Sequence, residues 1–178
     1  MPKKKELDSI REKIDELDAE LLQLLNRRSS LAIEAGKEKK EEIIYRPERE
    51  AFIFRKLKKM NEGPLDDRQI INIFTEIISS CRAGEKEIGI AFLGPEGTYS
   101  DSAVKENFGS SIQKNPTESI EEVFKAVKER KTDYGIVPIE NSTEGPINVT
   151  LDCLSDFNIN ICGGKIIIKS TYVHRLRP

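Results

Sequence analysis

A long apolar stripe near the start of the chain constrains its fold more than any other feature. Steps of three and four residues separate most of its members, which are Leu7, Ile10, Ile14, Leu17, Leu21, Leu24, Leu31 and Ala35. This spacing predicts one amphipathic helix from Leu7 to about Lys40 with a seam of coiled-coil type. At about 1.5 Å per residue the helix is roughly 50 Å long. Because a helix of that length normally packs against a partner helix, we expect helix association.

Arg28 interrupts the stripe at a position where the repeat calls for an apolar residue. Two interpretations are open: the side chain extends its charged end to water, or an anion binds inside the helix bundle. Lys39 follows after close to three turns, so it points the same way about 16 Å further on, and the two cations can hold a small dianion. Arg11 lies about 25 Å back along the helix, too far to join them within one chain. An antiparallel second copy can bring its own Arg11 to the site, which favours a dimer.

Two shorter helices are predicted after the long one. Pro47 suits the first turn of the second helix, which stops at Gly63-Pro64. Asp66 or Asp67 can cap the third helix, which Gly84 ends. Three helices of such unequal length leave much apolar surface uncovered, so we expect an intertwined dimer.

The second half of the chain has the pattern of an α/β unit. After a short polar linker at residues 83–87, Ile88–Leu93 and Tyr134–Val137 are short apolar runs typical of buried strands, and residues 159–161 and 166–168 are further candidates. Ser119 and Glu122 form a capping box before a helix between the first two. The alternation predicts a parallel sheet with ligand-binding loops beyond the strand ends, at Gly94 and Glu140. On spacing alone, the Gly94 loop is typical of an ordinary turn, and the segment from Glu140 to Ser142 is only a polar strand end.

Composition narrows the class of protein. The 178 residues carry a net charge of −2 with mixed signs, which does not favour a nucleic-acid partner. The three cysteines, Cys81, Cys153 and Cys162, have no CxxC spacing, and their odd number suits reduced thiols in the cytoplasm. The single histidine, His174, leaves little room for a histidine metal site. We therefore expect a cytoplasmic protein without a metal, nucleic acid or membrane partner.

Several motifs of the two regions occur together and in a fixed order. The helical region contains Arg11-Glu12-Lys13-Ile14, Arg27-Arg28, Gly36-Lys37-Glu38-Lys39 and Arg49-Glu50, and the second region contains loops at residues 92–100 and 137–145. In this combination the chain resembles the bifunctional chorismate mutase–prephenate dehydratase family. The resemblance implies an all-α, three-helix mutase domain over residues 1–85 that forms an intertwined dimer. It implies a partial α/β dehydratase lobe, similar to periplasmic binding proteins, over residues 86–178.

The mutase resemblance implies a reaction and a set of roles. Chorismate rearranges to prephenate by a Claisen step in phenylalanine biosynthesis, without a cofactor or covalent intermediate. Arg28 and the partner subunit's Arg11 would bind the carboxylates, and Lys39 the ether oxygen. Glu50 would contact the substrate hydroxyl, while Arg49 would help to close the site.

Three positions depart from the pattern of the family. Arg46 stands where an aspartate is common, Cys81 where a serine can occur, and Glu85 where a glutamine often donates to the ether oxygen. An ionised carboxylate cannot donate a hydrogen bond, so Glu85 would have to be protonated. The alternative is that Glu85 is a solvated linker residue.

The dehydratase resemblance implies that Thr98, Glu140, Asn141 and Ser142 bind prephenate. The sequence contains no Thr-Arg-Phe, the motif that carries the family's catalytic threonine. We therefore expect a chain truncated within the dehydratase domain, in which only the mutase turns over. Two alternatives remain: a module that binds an aromatic acid, and a helical dimerisation arm without catalysis.

Overall fold

The computed structural model describes residues 2–38, 45–141, 145–167 and 170–177. The first region has three helices: α1 (Pro2–Glu38), α2 (Pro47–Met60) and α3 (Asp67–Ala83). Pro47 begins α2 as expected, but α2 ends at Met60, before Gly63-Pro64. Asp66 caps α3 in a complete capping box, in which it accepts from the Gln69 N–H while the Gln69 side chain accepts from the Asp66 N–H. The predicted three-helix region is confirmed.

The second region combines a sheet with three helices. Its strands are β1 (Gly89–Leu93), β2 (Gln113–Thr117), β3 (Tyr134–Asn141), β4 (Gly145–Pro146), β5 (Asn160–Ile161), β6 (Gly164–Ile167) and β7 (Ser170–Arg177). Its helices are α4 (Tyr99–Phe108), α5 (Ile120–Lys128) and α6 (Asn148–Asp156). At α5 only half of the expected capping box forms: Ser119 accepts from the Glu122 N–H, but the Glu122 carboxylate accepts from the Glu118 N–H.

The sheet is mixed, whereas the sequence predicted a parallel one. The strand order is β2-β1-β3-β7-β5, with β4 on β3 and β6 on β7. β1 pairs in parallel with β2 and β3, but all pairings of β4 to β7 are antiparallel. The parallel prediction thus holds only where a helix connects neighbouring strands, because α4 and α5 supply the crossovers that parallel pairing requires.

Helices cover both faces of the parallel part of the sheet. Alternate residues of β1 face opposite sides, so Ile90 and Phe92 join one buried cluster while Ala91 joins another. The first cluster includes side chains of α4, and the second includes side chains of α5 and α6. The two clusters give this region a core of its own.

The helical region docks on the α4 face of the sheet. Tyr45, just before α2, is 1% exposed and joins the first cluster, where its ring lies 4.8 Å from that of Phe108 and 5.3 Å from that of Tyr134 between centroids. Gly109 has φ +73°, and a Cβ built there would lie 2.5 Å from Cβ of Ser79 on α3. A glycine is therefore required at this point of close approach.

Candidate functional site

The candidate mutase site lies along α1, α2 and the end of α3. Arg28 is half-buried on α1, whereas the seam residues before it, such as Leu21 and Leu24, are exposed. Arg11 is exposed and lies 3.5 Å from the Asp8 carboxylate, one turn away. Lys39, the residue expected to meet the ether oxygen, lies outside the described residues. The two predicted cations that the structure describes on α1, Arg11 and Arg28, lie about 25 Å apart along the helix. The expectation that Arg11 comes from a second copy stays a prediction.

Glu50 lies in the first turn of α2, where its side chain turns inward. Its Oε1 accepts a hydrogen bond from Nη1 of Arg82 at 2.8 Å, and the two side chains are 13% and 6% exposed. Burial raises the pKa of Glu50 to about 7, against the opposing effects of the charge and hydrogen bond of Arg82. Burial also lowers the pKa of Arg82, which the charge of Glu50 opposes.

Glu85 is not the solvated linker residue of the alternative interpretation. The residues after α3 turn back on the helix, with the Glu85 N–H donating to the Arg82 carbonyl at 2.9 Å. The side chain is half-buried against α1: a Cβ built on Gly36 would lie 2.5 Å from its Oε2. Gly36 thus leaves space for the Glu85 carboxyl group beside α1, about 12 Å along the helix from Arg28.

The remaining predicted residues of this site differ in exposure. Arg46 and Arg49 are exposed at the start of α2, and the Arg49 guanidinium lies 5.5 Å from the centre of the Phe52 ring. Cys81 is buried in the last turns of α3. Arg46 and Arg49 can reach an anion in solvent, whereas Cys81 can act only from within the packed helices.

Sequence reasoning missed Arg82. The apolar face of α3 passes through Phe74 and Ile78, and one further step of four residues reaches Arg82. A charge on an apolar face is the same signal that singled out Arg28, so the sequence did contain a clue. The residues that satisfy Arg82 could not be predicted, because one lies 32 residues and another 26 residues away along the chain.

A second candidate site lies at one edge of the sheet. β1 and β3 are parallel neighbours, so the segments that follow their carboxyl ends share that edge. Thr98 caps α4 there: its hydroxyl donates to the Pro95 carbonyl at 2.9 Å and accepts from the Asp101 N–H at 3.5 Å. Glu140 is exposed and Asn141 half-buried at the end of β3, and Ser142 lies outside the described residues. The Gly94 loop follows the end of β1 as expected. The prediction of a loop at Glu140 is wrong, because Glu140 and Asn141 belong to β3 and pair with β4 and β7.

Asp101 holds the first of these loops. Its Oδ2 accepts from the Gly97 N–H at 2.9 Å, and its Oδ1 accepts from Nζ of Lys114 at 2.6 Å. The hydrogen bond from Lys114, and after it that from Gly97, keeps the pKa of Asp101 below its ordinary value. Asp101 is therefore an ionised anchor for the loop, a role that sequence reasoning did not assign.

The described part of the chain shows neither a metal-binding cluster nor a membrane-spanning helix. There, no group of three or more His, Cys, Asp or Glu side chains is arranged to hold a metal ion. No helix in the same part is long and apolar enough to cross a membrane.

Comparison with known proteins assigns a family to each region. Residues 10–86 match the chorismate mutase type II family, and residues 90–169 match the prephenate dehydratase family. The first match coincides with α1 to α3, and the second begins in β1. The chain therefore carries a chorismate mutase region followed by a prephenate dehydratase region.

Curated relatives contain both regions. A bifunctional chorismate mutase/prephenate dehydratase from Stutzerimonas stutzeri is 41% identical over 165 residues, which are 89% of this chain and 45% of the relative. A protein of the same name from Aquifex aeolicus is 40% identical over 168 residues, which are 91% of this chain and 46% of the relative. The chain thus spans about half the length of these relatives. The X-ray structure of prephenate dehydratase from Streptococcus mutans aligns with a TM-score of 0.47 at 30% identity, covering 51% of this chain and 48% of that one.

Proposed function

We propose that this chain, which joins a chorismate mutase region to a prephenate dehydratase region as its bifunctional relatives do, is a chorismate mutase. It rearranges chorismate to prephenate in the biosynthesis of phenylalanine. The observation that carries the proposal is the match of residues 10–86 to the chorismate mutase type II family, over the segment that folds as α1 to α3. We propose that the mutase domain occupies residues 1–85 and the dehydratase part residues 86–178, a division supported by the end of α3 at Ala83 and the start of β1 at Gly89.

The proposed chemistry is electrostatic. A Claisen rearrangement breaks one bond and forms another within a single molecule, so the protein needs to select the reactive conformer and stabilise the charge that builds on the ether oxygen. We assign Arg28 and the partner subunit's Arg11 to the substrate carboxylates, and Lys39 to the ether oxygen. We assign Glu50 to the substrate hydroxyl.

Four residues have supporting roles in this proposal. Arg49 and Arg46, both exposed at the start of α2, would close over the substrate anion. Glu85 would donate to the ether oxygen from its place beside Gly36, provided that it is protonated. Cys81 would shape the substrate-binding wall from within α3.

We propose a homodimer formed through α1. None of the residues of α1 from Lys5 to Glu38 is buried, and the stripe residues Leu17 and Leu24 remain 58% and 61% exposed. A continuous apolar stripe of this length is typical of a helix that packs on another helix. A second, antiparallel copy of α1 would cover the stripe and supply the missing Arg11.

The dimer can be tested by sedimentation of the full chain. Leu21→Asp places a charge in the centre of the stripe, so we expect a monomer and the loss of mutase turnover, while Gln23→Asp on the same helix should leave the dimer intact. A wild-type chain that sediments as a monomer at concentrations where it is fully active would contradict the proposal.

We propose that the α/β region binds prephenate through Thr98, Glu140, Asn141 and Ser142. Dehydration of prephenate to phenylpyruvate, water and carbon dioxide is the reaction of the family, and we do not expect this chain to perform it without the Thr-Arg-Phe motif. Calorimetric titration of the full chain with prephenate tests the binding, and Thr98→Val should weaken it. If binding persists while mutase turnover is absent, the function is that of an aromatic-acid-binding module.

The mutase proposal is tested by following the loss of chorismate absorbance. We expect turnover by the wild-type chain and a loss of roughly 100-fold or more in kcat for Lys39→Ala, because that residue would act on charge developed in the transition state. Lys37→Ala, which removes an exposed lysine from the same helix end, is the matched control. A folded, dimeric wild-type chain without turnover would contradict the proposal. If Arg28→Ala keeps full activity, Arg28 has no role in catalysis, and the alternative of a helical dimerisation arm is favoured.

The cytoplasm is the proposed location. None of Cys81, Cys153 and Cys162 forms a disulfide bond, which suits a reducing compartment. Fractionation of cells that express the chain would test this placement.

A further inference from the structure

The guanidinium group of Arg82 joins the two regions of the chain. It lies in the last turn of α3 and is 6% exposed. Nη1 donates to Oε1 of Glu50 on α2 at 2.8 Å, and Nη2 donates to the carbonyl of Phe108, the last residue of α4, at 2.7 Å. The group also lies 5.2 Å from the centre of the Tyr45 ring and 6.0 Å from that of Phe108.

These contacts depend on one another because the charge is buried. A buried cation is unfavourable unless an opposite charge and hydrogen bonds compensate for the lost water. Nε of Arg82 has no hydrogen-bond partner among the described residues, so the two Nη contacts are the hydrogen bonds that compensate the charge, beside the rings of Tyr45 and Phe108. Losing either contact leaves a buried charge less well satisfied, and the position of Glu50 is therefore linked to the docking of α4.

The Glu50 carboxylate is engaged through one of its two oxygens. Arg82 occupies only Oε1, and no described residue donates a hydrogen bond to Oε2. Arg82 therefore fixes the orientation of the carboxylate without blocking it. This arrangement suits a group that has to accept a hydrogen bond from a substrate hydroxyl in a defined direction.

The segment that follows Phe108 packs closely against α3 near Arg82. The Ser110 N–H and hydroxyl both donate to the Glu76 carboxylate at 3.0 Å, and the Ser111 N–H donates to the Ser79 hydroxyl at 3.1 Å. Gly109, between Phe108 and these serines, approaches Ser79 so closely that a Cβ has no space. The carbonyl that holds Arg82 is thus fixed against α3.

We propose that Arg82 is a positioning residue for the mutase reaction: it holds Glu50 through one guanidinium nitrogen and is held by the α/β region through the other. Mutase turnover therefore depends on the docking of the α/β region on α3. This inference rests on the proposed mutase function and adds to it a residue and a dependence between the regions.

The first test compares Arg82→Met and Arg82→Lys with the wild-type full chain in chorismate turnover. Because a charged hydrogen bond to a positioned carboxylate is lost, we expect Arg82→Met to lower kcat/KM by roughly 10- to 100-fold, mainly through kcat. Arg82→Lys should recover part of the loss, since an ammonium group can reach Glu50 but cannot span both acceptors as the guanidinium does.

A pH profile separates positioning from a merely structural role. Besides Glu50 and Arg82 themselves, the titratable groups beside this pair in the described part of the chain are Tyr45 before α2, Tyr134 of β3 and Glu85 after α3. Arg82 favours the ionised form of Glu50, so Arg82→Lys should preserve the pH at which activity rises, and Arg82→Met should move it upward. Folded Arg82→Met with wild-type kinetics and pH profile would overturn the inference.

The second test perturbs the α/β side alone. Gly109→Ala drives a methyl group into Ser79, so kcat/KM of the mutase should fall severalfold although Gly109 lies outside the mutase region. Gly97→Ala is the matched control: it also replaces a glycine of positive φ, +82°, but its Cβ meets nothing within 4 Å, and mutase turnover should not change. Equal effects of the two variants would overturn the inference, even if Arg82→Met fails to fold. An inactive wild-type chain would instead refute the proposed function, and the inference with it.

Discussion

The two regions of the molecule bury their apolar side chains in different ways. The α/β region buries its own: both core clusters lie around its sheet, and Phe92, Phe124 and Val137 are 0% exposed. In the helical region no residue of α1 from Lys5 to Glu38 is fully buried. The buried residues of this region are Tyr45, Ile70, Ser79, Cys81 and Arg82, and three of them, Tyr45, Ser79 and Arg82, contact the α/β region. This difference indicates that the helical region needs contacts outside itself to cover its apolar side chains. The α/β region supplies one of them, and a second copy of the chain is our proposal for the other.

The largest expected difference between the two regions is the loss of unfolding free energy when a phenylalanine ring is removed from each. Phe124→Ala should lower the free energy of unfolding by about 3–5 kcal/mol, because it leaves a cavity in a closed core. Phe52→Ala on α2, where the ring is 50% exposed, should cost about 1 kcal/mol or less. Urea denaturation followed by circular dichroism measures both. A cost for Phe52→Ala equal to that for Phe124→Ala would mean that a partner covers α2 as fully as the sheet covers α5.

Glu50, which lies where the two regions meet, should make the free energy of unfolding depend on pH. The pKa of Glu50 is about 7 in the folded chain and 4.5 ordinarily, so between these values the folded state keeps a proton that the unfolded state releases. The free energy of unfolding should therefore fall as pH rises from about 4.5 to about 7, by at most about 3 kcal/mol, and then level off.

Urea midpoints of the full chain across this pH range measure the effect. Glu50→Gln should remove the slope, and Glu48→Gln, which changes an exposed neighbour on the same helix, should keep it. A slope that survives in Glu50→Gln would assign the titration to another group.

The smallest expected effect concerns the caps that each region uses to begin a helix. Asp66→Ala removes the acceptor for the Gln69 N–H and should cost about 1 kcal/mol. Asp66→Asn retains an acceptor and should be nearly neutral. Ser119→Ala at α5 should cost a similar amount, since its hydroxyl accepts from the Glu122 N–H at 3.2 Å. Thermal melts of Asp66→Ala and Ser119→Ala would show whether the two caps contribute equally to stability. An Asp66→Ala variant as stable as the wild type would contradict the predicted loss.

The elements that the sequence predicted well have local causes. Pro47 and Asp66 mark helix starts through the backbone groups beside them, and the stripe of α1 is a pattern within a single helix. β1 was visible as an apolar run because both of its faces are buried. These features require no knowledge of which distant residues meet.

The elements that the sequence missed depend on distant partners. β2 reads Gln113-Lys114-Asn115-Pro116-Thr117, a polar segment that is extended because it pairs with β1. Tyr45 is buried by Phe108 and Tyr134, which lie in other elements. Among the candidate site residues, Glu50 was predicted as a substrate ligand, but its partner Arg82 was not. The assigned roles of Lys39 and Ser142 stay predictions.

The polar character of β2 has a consequence for how the molecule behaves in a crowded cell. β2 is the outermost strand on its side of the sheet, and such a strand can recruit a strand of another chain. Its Pro116 lacks an N–H to donate to such a strand, which interrupts the hydrogen bonding that an added strand would need. The chain can therefore expose the apolar stripe of α1 in one region, while the edge strand β2 of the other region disfavours the addition of strands from other chains.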